Sequence, residues 1–289
     1  MPGPLLAVDA PSVLYRAFFA LPDSIVGTDG TPVNALLGAV NAILRIVADR
    51  GPRAVVVCSG AEAALYRKAL YPPYHGDRPP VPHGLAPQLA RADALFGALG
   101  WTCADAGELE ADDLLHAYAA AEVAAGGSAL LMTGDRDLFQ CAAPAVTVLY
   151  LKTGVRGFEE VGPAEVERRY GIPPALVPDF IALRGDPSDG LPGARGIGEK
   201  TAAELLRRHG SLEAAIAAAE GEKPRIAGAL REQAEELRGF LDIATLRDVA
   251  VAPPPDGPTD LEGGAAAAEA LGMRRLAERL RAAGDVSRL

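Results

Sequence analysis

Short, unbroken apolar runs alternate with longer stretches of helical spacing through the first half of the chain. LLAVDA (5–10), RAVVVCSG (53–60), WTCADA (101–106), SALLMTGDRD (128–137) and VTVLYL (146–151) are too short for helices and read as buried strands. Between them, residues 32–51, 85–100 and 110–127 carry apolar side chains three and four apart and end on glycine, as amphipathic helices do. Strands alternating with helices predict an α/β fold: a mostly parallel central sheet with helices on both faces. In such sheets the functional site lies beyond the carboxyl ends of the strands. The pattern changes near residue 160. From there only helical spacing continues, over 163–170, 174–184, 198–208, 211–219 and 224–247. VAPPPDGPTD (251–260) reads as a linker, and 263–284 as one last amphipathic helix. YPPYHGDRPPVPHG (71–84) is too rich in Pro and Gly for helix and reads as a mobile loop.

Composition narrows the class. The chain has 289 residues, 49% of them hydrophobic and 23% charged, which is a globular balance with ample length for a core. No uncharged apolar run approaches the roughly 18 residues of a membrane span. MPGPLLAVDA lacks the basic and apolar regions of a secretory signal. Cys58, Cys103 and Cys141 form no CxxC pair and leave an odd count, which suits a reduced, cytoplasmic protein. A formal charge of -10 is unlike a general nucleic-acid binder. A cluster of carboxylates built to hold cations would make a chain acidic while its binding faces stay basic.

Such clusters are present. Glu110, Asp112 and Asp113 open a helix, Asp135 and Asp137 follow one strand, Asp9 ends another, and Asp186 and Asp189 lie in LRGDPSDGLPG. Each group alone also fits ordinary helix-start or Asx-turn chemistry. Gathered at one sheet edge, they would repel strongly without cations. Hard oxygen donors in that number suit Mg²⁺ or Mn²⁺ rather than zinc. Two ions about 4 Å apart would serve phosphodiester hydrolysis. GLPGARGIGEKTAAELLRRHG (190–210) adds a tight Gly196-Ile197-Gly198 turn before a helix. Two glycines let backbone approach a phosphate, and the helix start offers N–H donors. No strand precedes them, so a dinucleotide-binding reading fails. The turn resembles a helix-hairpin-helix, which grips a DNA backbone without reading bases. Arg195, Lys200, Arg207 and Arg208 supply charge nearby.

The stretches VDAPSVLYRAF, ELEADDLL, TGDRDLFQ and LRGDPSDGLPGARGIGEKTAAELL together resemble the 5′-nuclease family. Its members are the N-terminal domain of bacterial DNA polymerase I, stand-alone 5′-3′ exonucleases and flap endonucleases. The resemblance runs from about residue 5 to 245 and is to the polymerase I type, here expected without a polymerase. It implies a PIN-like α/β core over 1–160 with an arch at 61–84, a helix-hairpin-helix region over 161–250, and a linker and helix over 251–289. It places Asp9, Glu110, Asp112, Asp113, Asp135, Asp137, Asp186 and Asp189 on metal-site acids for two ions, Mg²⁺ or Mn²⁺. Arg67, His75 and Arg78 fall on catalytic positions of the arch. Tyr15, Arg16, Lys68, Tyr74, Arg195, Gly196, Gly198, Lys200 and Thr201 fall on DNA-contacting positions, Tyr66 joins the arch residues suited to stacking, and K⁺ is a further expectation at the hairpin. The implied substrates are 5′ flaps, nicks and 5′ ends, cut by a monomer.

Two positions depart from the family pattern. VVVCSGAEAALYR puts Gly60 where the family carries a metal-binding Asp, which leaves the first metal site a ligand short; Glu62 stands two residues on. YHGDR puts His75 where the family carries Lys. These departures support an alternative, a structure-specific DNA binder of the same fold with weakened or lost hydrolysis. A third reading is a two-metal ribonuclease of a related fold.

Overall fold

The computed structural model describes residues 3–152 and 157–286. The last three positions of the expected 251–289 tail, 287–289, lie outside the described residues. Six strands form one sheet among the described residues, in the order β3-β2-β1-β4-β5-β6. They are β1 (Leu5–Asp9), β2 (Ala54–Ser59), β3 (Thr102–Asp105), β4 (Ala129–Thr133), β5 (Val146–Leu151) and β6 (Phe158–Val161). All pairs are parallel except β5–β6. β6 was not legible as a strand.

Alternation along the strands divides the core in two. Leu5, Ala7, Val56, Leu131 and Val148 face one cluster, shared with α5 (Ala111–Ala124), α7 (Val177–Arg184), α8 (Glu199–His209) and α11 (Ala234–Ala244). Leu6, Val8, Val57, Met132 and Leu149 face the other, shared with α1 (Ala10–Ala20), α2 (Asn34–Arg50), α4 (Ala86–Ala98), α12 (Leu261–Ala270) and α13 (Arg274–Val286). The helical region is completed by α6 (Pro163–Tyr170), α9 (Leu212–Ala217) and α10 (Pro224–Glu232), while α3 (Leu65–Leu70) follows β2. Helices therefore cover both faces.

Four expectations are corrected. Residues 224–247 are two helices that meet at Gln233, and the tail is two helices parted by Gly272 at φ +81°. The segment 251–260 is no free linker. Arg53 donates to Pro254 O and Asp256 Oδ1, both at 2.8 Å. Gly257 N donates to Arg53 O at 2.9 Å, and Trp101 Nε1 donates to Thr259 Oγ1 at 3.0 Å. The strap leads α12 and α13 onto α4 and α2, where Met273, Leu276, Ala277 and Leu280 are buried. The stretch 71–84 is anchored at its start: Tyr74 and His75 are buried, whereas Arg78 to Val81 are exposed.

Candidate active site

The strand order reverses between β1 and β4, two adjacent parallel strands from which the sheet is built outward in opposite directions. Their carboxyl ends frame a crevice. Asp9 closes β1 and caps α1: its Oδ1 accepts from Ser12 N at 2.9 Å. Its Oδ2 accepts from Thr133 Oγ1, at the end of β4, at 2.8 Å. The turn after β4 is held by Ser12, whose Oγ accepts from Gly134 N at 2.8 Å. Asp135 Oδ1 then accepts from Asp137 N at 2.9 Å, which fixes the two acids as one turn. Sequence reading missed Thr133 and Ser12; their hydroxyl positions beside Asp9 and before Gly134 were the available signal.

Asp9, Asp112, Asp135, Asp137, Asp189, Glu110 and Glu62 line one cavity of about 510 Å³, with Gly60, Tyr15, His75 and Arg78. Burial raises the carboxyl pKa of Asp9, and raises Asp112 and Asp137 well above the usual range. Asp112 is further pushed by Asp9, Asp135 and Asp137. Burial, with repulsion from Asp189, Asp9 and Asp186, pushes Asp135 up to about 7. Oδ1 of Asp137 is buried with no hydrogen-bond partner. A buried carboxylate oxygen without a donor is costly. Cationic charge at this point would satisfy it, so the donor set fits divalent cations. Among the described residues, no three His, Cys, Asp or Glu side chains already form a tight metal cage. Mg²⁺ keeps several waters and needs only one or two carboxylates. An open ring of acids suits it.

The remaining predicted acids are held by protein partners, Glu110 at the cavity wall and Asp113 and Asp186 outside it. Asp113 is fully buried and points away from the cavity: Oδ1 accepts from Arg67 Nη2 at 3.1 Å and Arg247 N at 2.8 Å. Its Oδ2 accepts from Glu110 N at 3.1 Å. Asp113 is thus a capping and ion-pair residue, against the expectation of a metal acid; its spacing three after Glu110 is the capping-box signature. Glu110 accepts from Ala64 N at 2.8 Å, Tyr74 Oη at 3.1 Å and Arg67 Nη1 at 2.8 Å. Asp186 accepts from Ser188 N at 2.8 Å and pairs with Arg184 at 3.2 Å, set behind Asp135 and Asp137.

The arch residues divide in the same way. Arg67, expected at phosphate, is 3% exposed and also donates to Ile243 O at 3.1 Å. Tyr74, expected to stack bases, is buried and stacks on His75, with ring centroids 3.9 Å apart. Tyr66 lies between the guanidinium groups of Arg67 and Arg247. His75 sits at φ +55°, with Nδ1 2.9 Å from Glu62 O and Nε2 2.9 Å from Asp189 Oδ1. Both ring nitrogens therefore face oxygen atoms of the protein. Arg78 stays exposed, 3.4 Å from Asp189. Lys68 is exposed on α3. Arg16 donates to Gly134 O and Lys152 O, both at 3.2 Å.

Gly60 has no room for a side chain. A Cβ there would stand 2.5 Å from Leu109 O and 2.9 Å from Ala106 Cβ. The 106–110 segment therefore occupies the space that an Asp at position 60 would need. Behind the cavity, the hairpin joins α7 to α8. Gly196 takes φ +76°, and Gly198 caps α8 with extended backbone. Lys200 and Thr201 lie in its first turn. Arg195 is bound to Glu232 at 2.6 Å.

A crevice of buried acids at the reversal of a doubly wound sheet, followed by a glycine hairpin that opens α8, defines a metal-dependent nuclease. Residues 4–171 match the family described as 5'-3' exonuclease, N-terminal resolvase-like domain, and residues 172–257 match 5'-3' exonuclease, C-terminal SAM fold. The chain belongs to the 5'-3' exonuclease family, whose members hydrolyse DNA phosphodiester bonds. It is 39% identical over 288 residues to a 5'-3' exonuclease of Streptomyces coelicolor, covering 93% of this chain and 95% of the relative. A 5'-3' exonuclease of Mycobacterium tuberculosis is 38% identical over 264 residues, covering 84% and 82%. DNA polymerase I of the same species is 35% identical over 254 residues, which are 87% of this chain but 28% of the polymerase. A bacteriophage T5 D15 flap endonuclease, solved with DNA and metal ions, has the same fold at TM-score 0.71 and 16% identity, covering 99% of both chains. The catalytic core of Rad2 with DNA substrate follows at TM-score 0.60 and 14% identity, covering 96% of this chain and 93% of Rad2. The reading as a DNA binder without hydrolysis is not favoured. No helix among the described residues is long and apolar enough to cross a membrane.

Proposed function

We propose that this chain is a monomeric cytoplasmic 5′-nuclease that uses Mg²⁺ or Mn²⁺ to cut DNA at 5′ ends, nicks and flaps. The observation that carries it is the unpartnered, buried Oδ1 of Asp137 inside the acid-lined cavity. Asp9, Asp112, Asp135, Asp137 and Asp189 would hold two cations, with Glu62 available on the side where Gly60 offers no ligand. Bound there, the cations supply a more acidic attacking water and neutralise charge on the phosphate and leaving oxygen. Glu110, Asp113 and Asp186 keep the acids in place through Arg67, Ser188 and Arg184. Arg78 offers its exposed guanidinium to a phosphate, and Tyr15 presents a ring to a base. His75 orients Asp189 and closes the cavity wall. At the hairpin, Gly196, Gly198, Lys200 and Thr201 would hold duplex backbone, and K⁺ would add positive charge there.

The test is cleavage of a 5′-labelled flap duplex with Mg²⁺, Mn²⁺ or EDTA, beside Asp135→Ala. The expected result is cutting near the junction that requires metal and is lost in the variant. Flap binding without cutting in either metal would overturn the reading.

A further inference from the structure

Arg225, on α10, is far from the hairpin in sequence but lies against it. Its Nε and Nη2 stand 2.6 and 2.7 Å from the point that a Cβ on Gly196 would occupy. The glycine thus serves two ends: it adopts φ +76°, and it leaves room for a guanidinium flat against the turn. Arg225 is exposed at the first turn of its helix.

Other arginines after α6 are occupied by carboxylates. Arg184 pairs with Asp186, Arg195 with Glu232, Arg208 with Glu222, Arg238 with Glu213 and Arg247 with Asp242. Arg225 has no carboxylate partner among the described residues, and the same holds for Arg207 and Arg231. Of these three, Arg207 lies against Gly171, and Arg225 alone touches the Gly196 turn. A guanidinium without an internal anion, held beside the free N–H groups that open α8, is arranged for an external one. Arginine suits phosphate because its fork matches two oxygens.

We infer that Arg225 is a DNA backbone-phosphate ligand that acts as one unit with the Gly196 turn and anchors the duplex side of the substrate. The inference rests on the nuclease reading above and adds a residue and its phosphate to it. The neighbouring charge of Lys200 would contribute to the same field.

The test measures binding of a flapped duplex in EDTA, over salt from about 50 to 200 mM, for the wild type, Arg225→Gln, Arg225→Lys and Arg231→Gln. Each phosphate contact contributes about 0.9 to the slope of log affinity on log salt. Arg225→Gln is expected to flatten the slope by about that amount and weaken binding several-fold. Arg225→Lys should recover the slope, and Arg231→Gln should match the wild type. Walking one neutral methylphosphonate along each strand should find one position where the Arg225→Gln loss disappears. A wild-type slope for Arg225→Gln, an equal loss in Arg231→Gln, or a loss that survives at every methylphosphonate position would each overturn the inference. Failure of the wild type to bind DNA in a salt-dependent way would instead overturn the nuclease reading.

Discussion

Replacing Asp135 by Asn should make the metal-free protein more stable at alkaline pH. Burial raises this carboxyl from 3.8 to about 7. At about 1.4 kcal/mol per tenfold change in proton affinity, that rise corresponds to about 4 kcal/mol. The carboxyl therefore holds its proton more tightly in the folded chain than in the unfolded one. The folded state gains as pH falls from about 7 to about 4 and loses that gain as pH rises again. Asp9, Asp112 and Asp137 share the repulsion, so removing one charge relieves only part of it. A gain of about 2 kcal/mol for Asp135→Asn at pH 8 is the expectation. Asn keeps the oxygen that accepts from Asp137 N, so the turn is preserved. The assay is urea unfolding in EDTA at several pH values between 5 and 8. The gain should be largest at pH 8 and fall to roughly 40% of that at pH 5, where the carboxyl of the unfolded chain is still mostly ionised. Adding Mn²⁺ should reverse the order, because a ligand at about 100 times its Kd adds about 2.7 kcal/mol to the wild type and less to the variant. A variant less stable than the wild type at pH 8, or a gain independent of pH, would refute the electrostatic account.

Other substitutions test the frame around the acids. Gly60→Asp should not raise cleavage, and should lower stability by about 1–3 kcal/mol, because the new Cβ meets the carbonyl of Leu109; thermal melting and flap cleavage check both parts. Arg67→Ala leaves Glu110 and Asp113 buried without their cation and should cost about 3–5 kcal/mol, read by urea unfolding. Arg53→Ala removes the partner of buried Glu122 and of the strap. It should cost about 3 kcal/mol and make residues 251–260 accessible to limited proteolysis.

The alternation of strands and helices was legible because parallel strands buried on both faces must be continuous apolar runs, as LLAVD and AVVVC are. The acids at strand ends were legible for the same reason, since the last residue of each run is fixed by the run itself. What could not be read is where a polar side chain turns after it leaves the backbone. Asp112 and Asp113 are neighbours on one helix, yet one faces the cavity and the other faces Arg67 and α11. Tyr74 and Arg67 have the chemistry of nucleic-acid contacts, but long-range packing against Glu110 draws them inward. The Pro-rich strap has the composition of a linker. Its order comes from partners such as Arg53, 203 residues away, which no local pattern reports.

That distance sets a timetable for synthesis. The apolar faces of α2 and α4 are made early, but the side chains that cover them, Met273, Leu276 and Leu280, are made only after the whole helical region α6 to α11. Until then the growing chain carries an open greasy surface. Contacts this remote in sequence close slowly. The chain is thus exposed to chaperones and to aggregation until α12 and α13 are made, and those two helices act as the lock that ends this vulnerable period.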